Sequence, residues 1–217
     1  MTLSVQNISK SIHHKVILEN ISLEMESGHI YGFVGRNGSG KTMLFRALSG
    51  LMKIDSGKIM LDNKVLHKDF QILPNLGIVL ENVGLYPDMT GVQNLSFLAS
   101  FRKCASQEDI CLAIKRVGLN PDDRRTYGKY SLGMKQRLAI AQAVMEQPDV
   151  LMLDEPTNGL DEEGIDAIRK LILEEKERGA IVLLASHNKE DIRLLVDDLY
   201  RVKEGHVERQ ENAYENS

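Results

Sequence analysis

Residues 35–42 read GRNGSGKT and match the spacing G-x-x-x-x-G-K-[ST], a pattern whose chemistry is the cradling of phosphate groups. Gly35, Gly38 and Gly40 allow the backbone to close around phosphate oxygens, so that the amides of this run, including those of Arg36, Asn37 and Ser39, face the anion. Lys41 is expected at the β- and γ-phosphates and Thr42 on Mg²⁺. A Gly-rich turn arising by chance is the alternative. Against it stand a strand-like run at residues 30–34 (IYGFV) and a helix-like run at residues 43–48 (MLFRAL), which supply the strand, loop and helix that the motif requires.

A second pair of candidates lies at residues 150–155 (VLMLDE), where an apolar strand ends in two carboxylates. Asp154 suits Mg²⁺, directly or through water. Glu155 leaves the strand in another direction and can polarise an attacking water as general base. His187 follows the next buried strand, and a parallel sheet brings that strand's end to the same edge as Asp154, which favours a γ-phosphate contact over a structural role.

The elements that must hold these residues follow from periodicity. Alternating apolar residues at 3–8 and 17–25 predict antiparallel strands, with residues 11–15 (SIHHK) as their turn. The adjacent His13 and His14 lack further ligands nearby in sequence and read as exposed turn residues rather than a metal site. Residues 58–61 predict an edge strand and residues 76–80 (LGIVL) a buried one. From about residue 82 to 133 the character changes to a helical insertion, with helices at 92–101 and 107–117. A further helix is expected after Gly133, with Met134, Leu138, Ala141 and Met145 on its apolar face. The continuous apolar runs at 150–153 and 180–185 suit parallel strands covered on both faces. Between them Ile165, Ile168 and Ile172 mark a helix that Gly179 ends, a hairpin around Glu204 and Gly205 closes the domain, and residues 209–217 form a polar tail.

Composition narrows the function classes. The chain of 217 residues is 42% hydrophobic and 27% charged, ordinary for one folded α/β domain. A net charge of −4 does not suit a general nucleic-acid binder. The longest apolar run, at residues 180–185, is far below the roughly 18 residues of a membrane span. The opening MTLSVQNISK has no apolar h-region, so a cytoplasmic location is expected. Cys104 and Cys111 are the only cysteines, in neither a redox nor a zinc spacing.

Residues 130–137 (YSLGMKQR) complete a set. With the phosphate loop, the LDEPTNGLD stretch at residues 153–161 and His187, they resemble the ATP-binding-cassette (ABC) ATPases in order and spacing over nearly the whole chain. The resemblance implies an α/β P-loop fold with a RecA-like core, an antiparallel β-subdomain and an inserted helical subdomain. It implies ATP as the nucleotide and Mg²⁺ as the metal. Ser131 and Gly133 match the Ser and second Gly of the family's LSGGQ signature, while Leu132 and Met134 replace its first Gly and its Gln. In this family that serine serves ATP held by the opposite subunit, and Asp161 resembles the residue connecting the two sites. Glu81 stands where a Gln ordinarily contacts Mg²⁺ and the attacking water, and Ile12 where an aromatic residue ordinarily stacks on adenine, leaving that contact to His13 or an apolar residue. Glu81 together with YSLGMKQR is similar to the branch that exports bacitracin and lantibiotics.

The resemblance implies an ATP-hydrolysing transporter subunit on the cytoplasmic face of the membrane. It would form a homodimer, or pair with a second ABC ATPase subunit, and drive integral-membrane subunits on separate chains, docking them around residues 83–88. A soluble ABC-type ATPase acting on DNA or ribosomes is the competing expectation. The long coiled-coil insertion or second cassette that would favour it is missing from the sequence.

Overall fold

The computed structural model describes residues 1–80 and 84–210. β1 (Thr2–Ile12) and β2 (Lys15–Glu26) pair antiparallel and are joined by His13 and His14, at φ 46° and 64°. Two successive left-handed residues form the tight turn whose twist matches paired strands, so the turn is shorter than the five residues expected. Both imidazoles are exposed, and the described residues contain no group of three or more His, Cys, Asp or Glu side chains that could hold a metal.

β4 (Ser56–Leu61) was expected at a sheet edge. It instead lies between β1 and β5 (Lys64–Val65) in a four-stranded layer ordered β2-β1-β4-β5. The two-residue strand that covers it is too short to show a period of its own.

The central sheet has the order β10-β9-β3-β8-β7-β6. β3 (His29–Val34), β6 (Leu76–Val79), β7 (Val150–Asp154), β8 (Ile181–Ala185) and β9 (Asp198–Lys203) run parallel, and β10 (His206–Gln210) closes an edge antiparallel to β9. Glu204 and Gly205, at φ 51° and 85°, turn the last hairpin. Arg209 and Gln210, expected in the polar tail, are paired with Tyr200 and Leu199, because a hairpin with this turn extends as far as its partner strand does. Residues 211–217 of that tail lie outside the described residues.

Alternation along the central strands feeds two cores. Tyr31, Phe33, Met152 and Leu183 point toward the antiparallel layer, where they meet Leu3, Ile8 and Leu18 together with Leu44, Phe45 and Leu48 of α1 (Lys41–Ser49). Leu151, Leu153, Val182 and Leu184 point the other way. They pack on Leu138 and Ile140 of α4 (Leu132–Val144) and on Ile168 and Ile172 of α5 (Glu162–Glu177). Each fully buried aliphatic side chain contributes about 1.5–3 kcal/mol. Coverage of both faces explains why these strands are apolar throughout.

α2 (Gly91–Arg102) and α3 (Gln107–Arg116) each begin in a reciprocal capping box, Thr90 with Gln93 and Ser106 with Asp109. α4 starts at Leu132 rather than after Gly133, because the Ser131 hydroxyl caps it by accepting the Met134 amide at 3.2 Å. A short helix, α6 (Lys189–Leu195), follows β8 and was not apparent from periodicity.

Candidate active site

Strand register assembles the site. Phe33 and Asp154 both pair with Ala185, so β3, β7 and β8 end at one level. Gly35, Glu155 and His187 therefore leave the sheet along the same edge, the place where open parallel sheets present ligands.

The loop after β3 is shaped by its glycines. A Cβ on Gly35 would stand 2.3 Å from Val202 O and 2.6 Å from Ser39 Oγ, and Gly38 and Gly40 have φ of 77° and 111°. Gly40 is the N-cap of α1, so the loop delivers its amides to a helix N-terminus. Lys41 is buried. Its Nζ donates to Gly35 O at 2.8 Å and reaches Arg36 O at 3.5 Å. Two carbonyls only partly offset the desolvation of an ammonium, which suits the loop to an anion. Ser39 Oγ is buried with no hydrogen-bond partner among the described residues, a second polar group directed into the loop.

Thr42 Oγ1 donates to Asp154 Oδ2 at 2.5 Å. Two hard oxygen donors side by side, next to the phosphate loop, form the start of a Mg²⁺ coordination set. Glu155 follows at φ 51°, with its amide on Ala185 O at 2.8 Å. His187 Nδ1 lies 2.7 Å from Glu155 Oε2. These residues thus fit a magnesium nucleoside triphosphate on charge, donor type and shape.

A cleft of about 630 Å³ contains Asn37, Ser39, Lys41, Thr42, Asp154 and Glu155. It continues to Val16 and Ile17 of β2 and to the Glu204–Gly205 turn. Val16 and Ile17 form the apolar wall of the cleft, and neither Ile12 nor His13 lines it. Two backbone hydrogen bonds of Gly205, invisible in sequence, hold this wall in place. Gly205 O accepts the Glu19 amide at 3.0 Å and the Gly205 amide donates to Ser39 O at 3.4 Å, drawing β2 against the loop.

Ser131 is exposed as the N-cap of α4 and Gly133 is the second residue of that helix, but neither lines this cleft. The Gly133 backbone packs near Gly159 O and Leu160, and Asp161 caps α5 by accepting the Gly164 amide at 3.1 Å. Glu81 lies outside the described residues. Thr157, Arg169 and Asp191, which form a buried network behind Glu155, were missed. The one sequence signal for them was Asn188, a capping residue ahead of two acids, which marks the helix carrying Asp191.

The model of the ABC transporter family matches residues 18–158. The chain is 46% identical to an uncharacterized ABC transporter ATP-binding protein, YybJ of Bacillus subtilis, covering 97% of each. It is 34% identical to the bacitracin transport ATP-binding protein BcrA of Enterococcus faecalis, over 98% of this chain and 70% of that one. Identity to the lantibiotic transport ATP-binding protein SrtF of Streptococcus pyogenes is 33%, over 94% and 88%. Its fold superposes with a TM-score of 0.85 on the dimeric ATP-binding cassette MJ0796 bound to ADP and Pi, at 22% identity over 99% of this chain and 100% of that one. The chain belongs to the ABC transporter family, as an ATP-binding subunit with the ATPase fold, and is related to the bacitracin and lantibiotic transport ATP-binding proteins.

Proposed function

We propose that two copies of this chain, or one copy and a paired ATPase subunit, close head to tail around two MgATP molecules and so drive membrane subunits carried on separate chains. The observation that carries this reading is the convergence of Thr42, Asp154 and Glu155 on one cleft, with His187 held against Glu155 at the cleft's margin and Ser131 exposed outside it. Gly35 to Thr42 hold the phosphates, and Lys41 neutralises the β- and γ-oxygens. Thr42 and Asp154 would hold Mg²⁺, with Glu81 as a third ligand by its place in the sequence. Mg²⁺, when bound, offsets charge developing between the β- and γ-phosphates. Glu155 accepts a proton from the attacking water, and His187 orients Glu155 while facing the γ-phosphate. Ser131 and the amide of Gly133 complete the other copy's site from a helix N-terminus. The test is light scattering of Glu155→Gln with MgATP: a stable dimer is expected, and monomer alone would sink the sandwich.

We further propose a place at the cytoplasmic face of a membrane. Among the described residues no helix is long and apolar enough to cross one, which suits attachment through partner subunits. The expected docking stretch includes Val83, outside the described residues, and Tyr86. Tyr86 meets Phe97 edge to face at 5.1 Å, and Phe97 meets Phe101 likewise at 5.1 Å. All three are exposed, giving an apolar ridge suited to a partner's cytoplasmic helix. The cargo proposed is a cationic or amphipathic antimicrobial peptide, supported by the similarity to BcrA and SrtF. Deletion in the native host should raise sensitivity to bacitracin or a lantibiotic. Unchanged sensitivity across that panel, with the membrane partner expressed, would reject this cargo.

A further inference from the structure

Asp191 has no exposed surface, and its carboxylate collects side chains from three other segments of the chain. Oδ2 accepts Thr157 Oγ1 at 2.5 Å and Ser186 Oγ at 3.4 Å. Oδ1 accepts Arg169 Nε at 2.8 Å and lies 2.7 Å from the same guanidinium's Nη2, which also reaches Glu190 Oε2 at 2.9 Å. Burial opposes the Arg169 charge, but the hydrogen bonds it donates to Asp191 and Glu190 outweigh it and raise its pKa above the ordinary value. The buried carboxylate is thus paired with a guanidinium and hydrogen-bonded on both oxygens.

Two of its partners stand beside the proposed chemistry. Thr157 is two residues past Glu155, in the turn closed by the Asn158 amide on Glu155 O at 3.2 Å. Ser186 directly precedes His187, and its Oγ also accepts the Asn188 amide at 3.0 Å. Glu155 itself sits at φ 51°, a conformation that a non-glycine residue keeps only where its surroundings over-determine it. The Glu155 amide on Ala185 O fixes one side of that residue. Thr157, fastened to Asp191, fixes the other. One carboxylate thus ties the loop bearing the proposed base to the loop bearing the proposed switch histidine.

We propose that Asp191 is a positioning residue for hydrolysis, holding Glu155 and His187 in register through Thr157 and Ser186, with Arg169 holding Asp191 in turn. This rests on the reading in which Glu155 and His187 act at the γ-phosphate. None of the four residues in the network lines the nucleotide cleft, so their loss should affect turnover rather than affinity.

The experiment measures steady-state MgATP hydrolysis, nucleotide affinity and melting temperature for the purified full chain. Asp191→Asn keeps the size but removes the charge, and should lower kcat on the order of 10- to 10²-fold, as a small misplacement of a catalytic group does. KM should stay within about twofold, since uniform binding is untouched. Asp191→Glu, which keeps the charge on a longer stem, should recover part of kcat. Thr157→Val leaves the Asp191–Arg169 pair intact and should lower kcat in the same way, so it carries the test if Asp191→Asn does not fold. In a Glu155→Gln background Thr157→Val should not reduce the residual turnover further, because the group that Thr157 positions is already lost. Wild-type kcat in Thr157→Val, a parallel change of kcat and KM, or a further loss on adding Thr157→Val to Glu155→Gln would overturn the proposal. Wild-type turnover in Glu155→Gln alone would instead overturn the reading of Glu155.

Discussion

His187 meets one oxygen of Glu155 twice, through ring Nδ1 at 2.7 Å and through its backbone amide, which donates to the same Oε2 at 3.3 Å. The pairing works from both ends, since the amide steers the carboxylate toward the β8 loop and the carboxylate steers the ring. His187→Ala keeps the amide contact and loses the ring. Turnover should fall roughly 10²- to 10⁴-fold, as when a positioned acid–base group is disturbed, with nucleotide affinity retained. A His187→Ala protein hydrolysing ATP at the wild-type rate would show that the ring contributes nothing there.

Gly35→Ala should weaken nucleotide binding, because the new methyl would stand 2.3 Å from Val202 O, a backbone atom fixed in the sheet. Overpacking a tight site costs about 1–3 kcal/mol. That corresponds to roughly 5- to 150-fold in affinity. Titration calorimetry with MgATP, alongside circular dichroism to check folding, reads the effect. Wild-type affinity would mean that the loop moves away from β9 without penalty.

For Glu81, which lies outside the described residues, the expectation comes from its place in the sequence. A carboxylate is a hard Mg²⁺ ligand but adds negative charge near the γ-phosphate. Glu81→Gln should weaken the Mg²⁺ dependence of activity and keep ATP binding, whereas Glu81→Ala should impair turnover or coupling. Superimposable Mg²⁺ titrations of the three proteins would make Glu81 a bystander.

The phosphate loop and the Asp154–Glu155 strand end were legible because their chemistry depends on residues adjacent in sequence, and β7 and β8 because strands covered on both faces must be apolar throughout. The Asp191 network was not legible. Its members at 157, 169, 186 and 191 are brought together only by packing α5 and α6 against the sheet, and α6 is too short to declare a helical period. The inner position of β4 and the Val16–Ile17 wall of the cleft were hidden for a related reason, since the first follows from which strand lies beside which and the second from the hydrogen bonds of the Gly205 turn to β2 and to the loop.

Acid should remove one contribution to stability at the antiparallel layer. The Lys10 ammonium at 2.6 Å and the Ser11 amide at 2.7 Å hold the Asp55 carboxyl below its ordinary pKa. A depressed folded-state value means that the contribution is present above the unfolded pKa of about 3.9 and is lost as pH falls through the folded value. Asp55→Asn should therefore melt below wild type near pH 7, and the two curves should converge below about pH 4. A gap that stays constant across that range would assign the effect to shape rather than charge.

The loop carrying Tyr86 is held by Asn94, a fully buried side chain in α2. Asn94 Oδ1 accepts the Tyr86 amide at 2.7 Å, while Nδ2 donates to Tyr86 O at 3.0 Å, Thr90 O at 3.0 Å and Met89 O at 3.3 Å. A single amide thus ties the loop from Tyr86 to Thr90 onto α2, on the side where Tyr86 meets Phe97. Asn94→Leu fills a similar volume but takes the acceptor away from the Tyr86 amide, while Tyr86 O, Met89 O and Thr90 O keep the Met89, Tyr127 and Asn94 amides, so stability should fall modestly and the loop should loosen at Tyr86. The cleft residues are untouched, so ATP hydrolysis by the isolated chain should remain near wild type. Stimulation by the membrane subunits should fall if the ridge is their docking surface. Full stimulation together with a lowered melting temperature would keep Asn94 as a structural fastening and move the docking surface elsewhere.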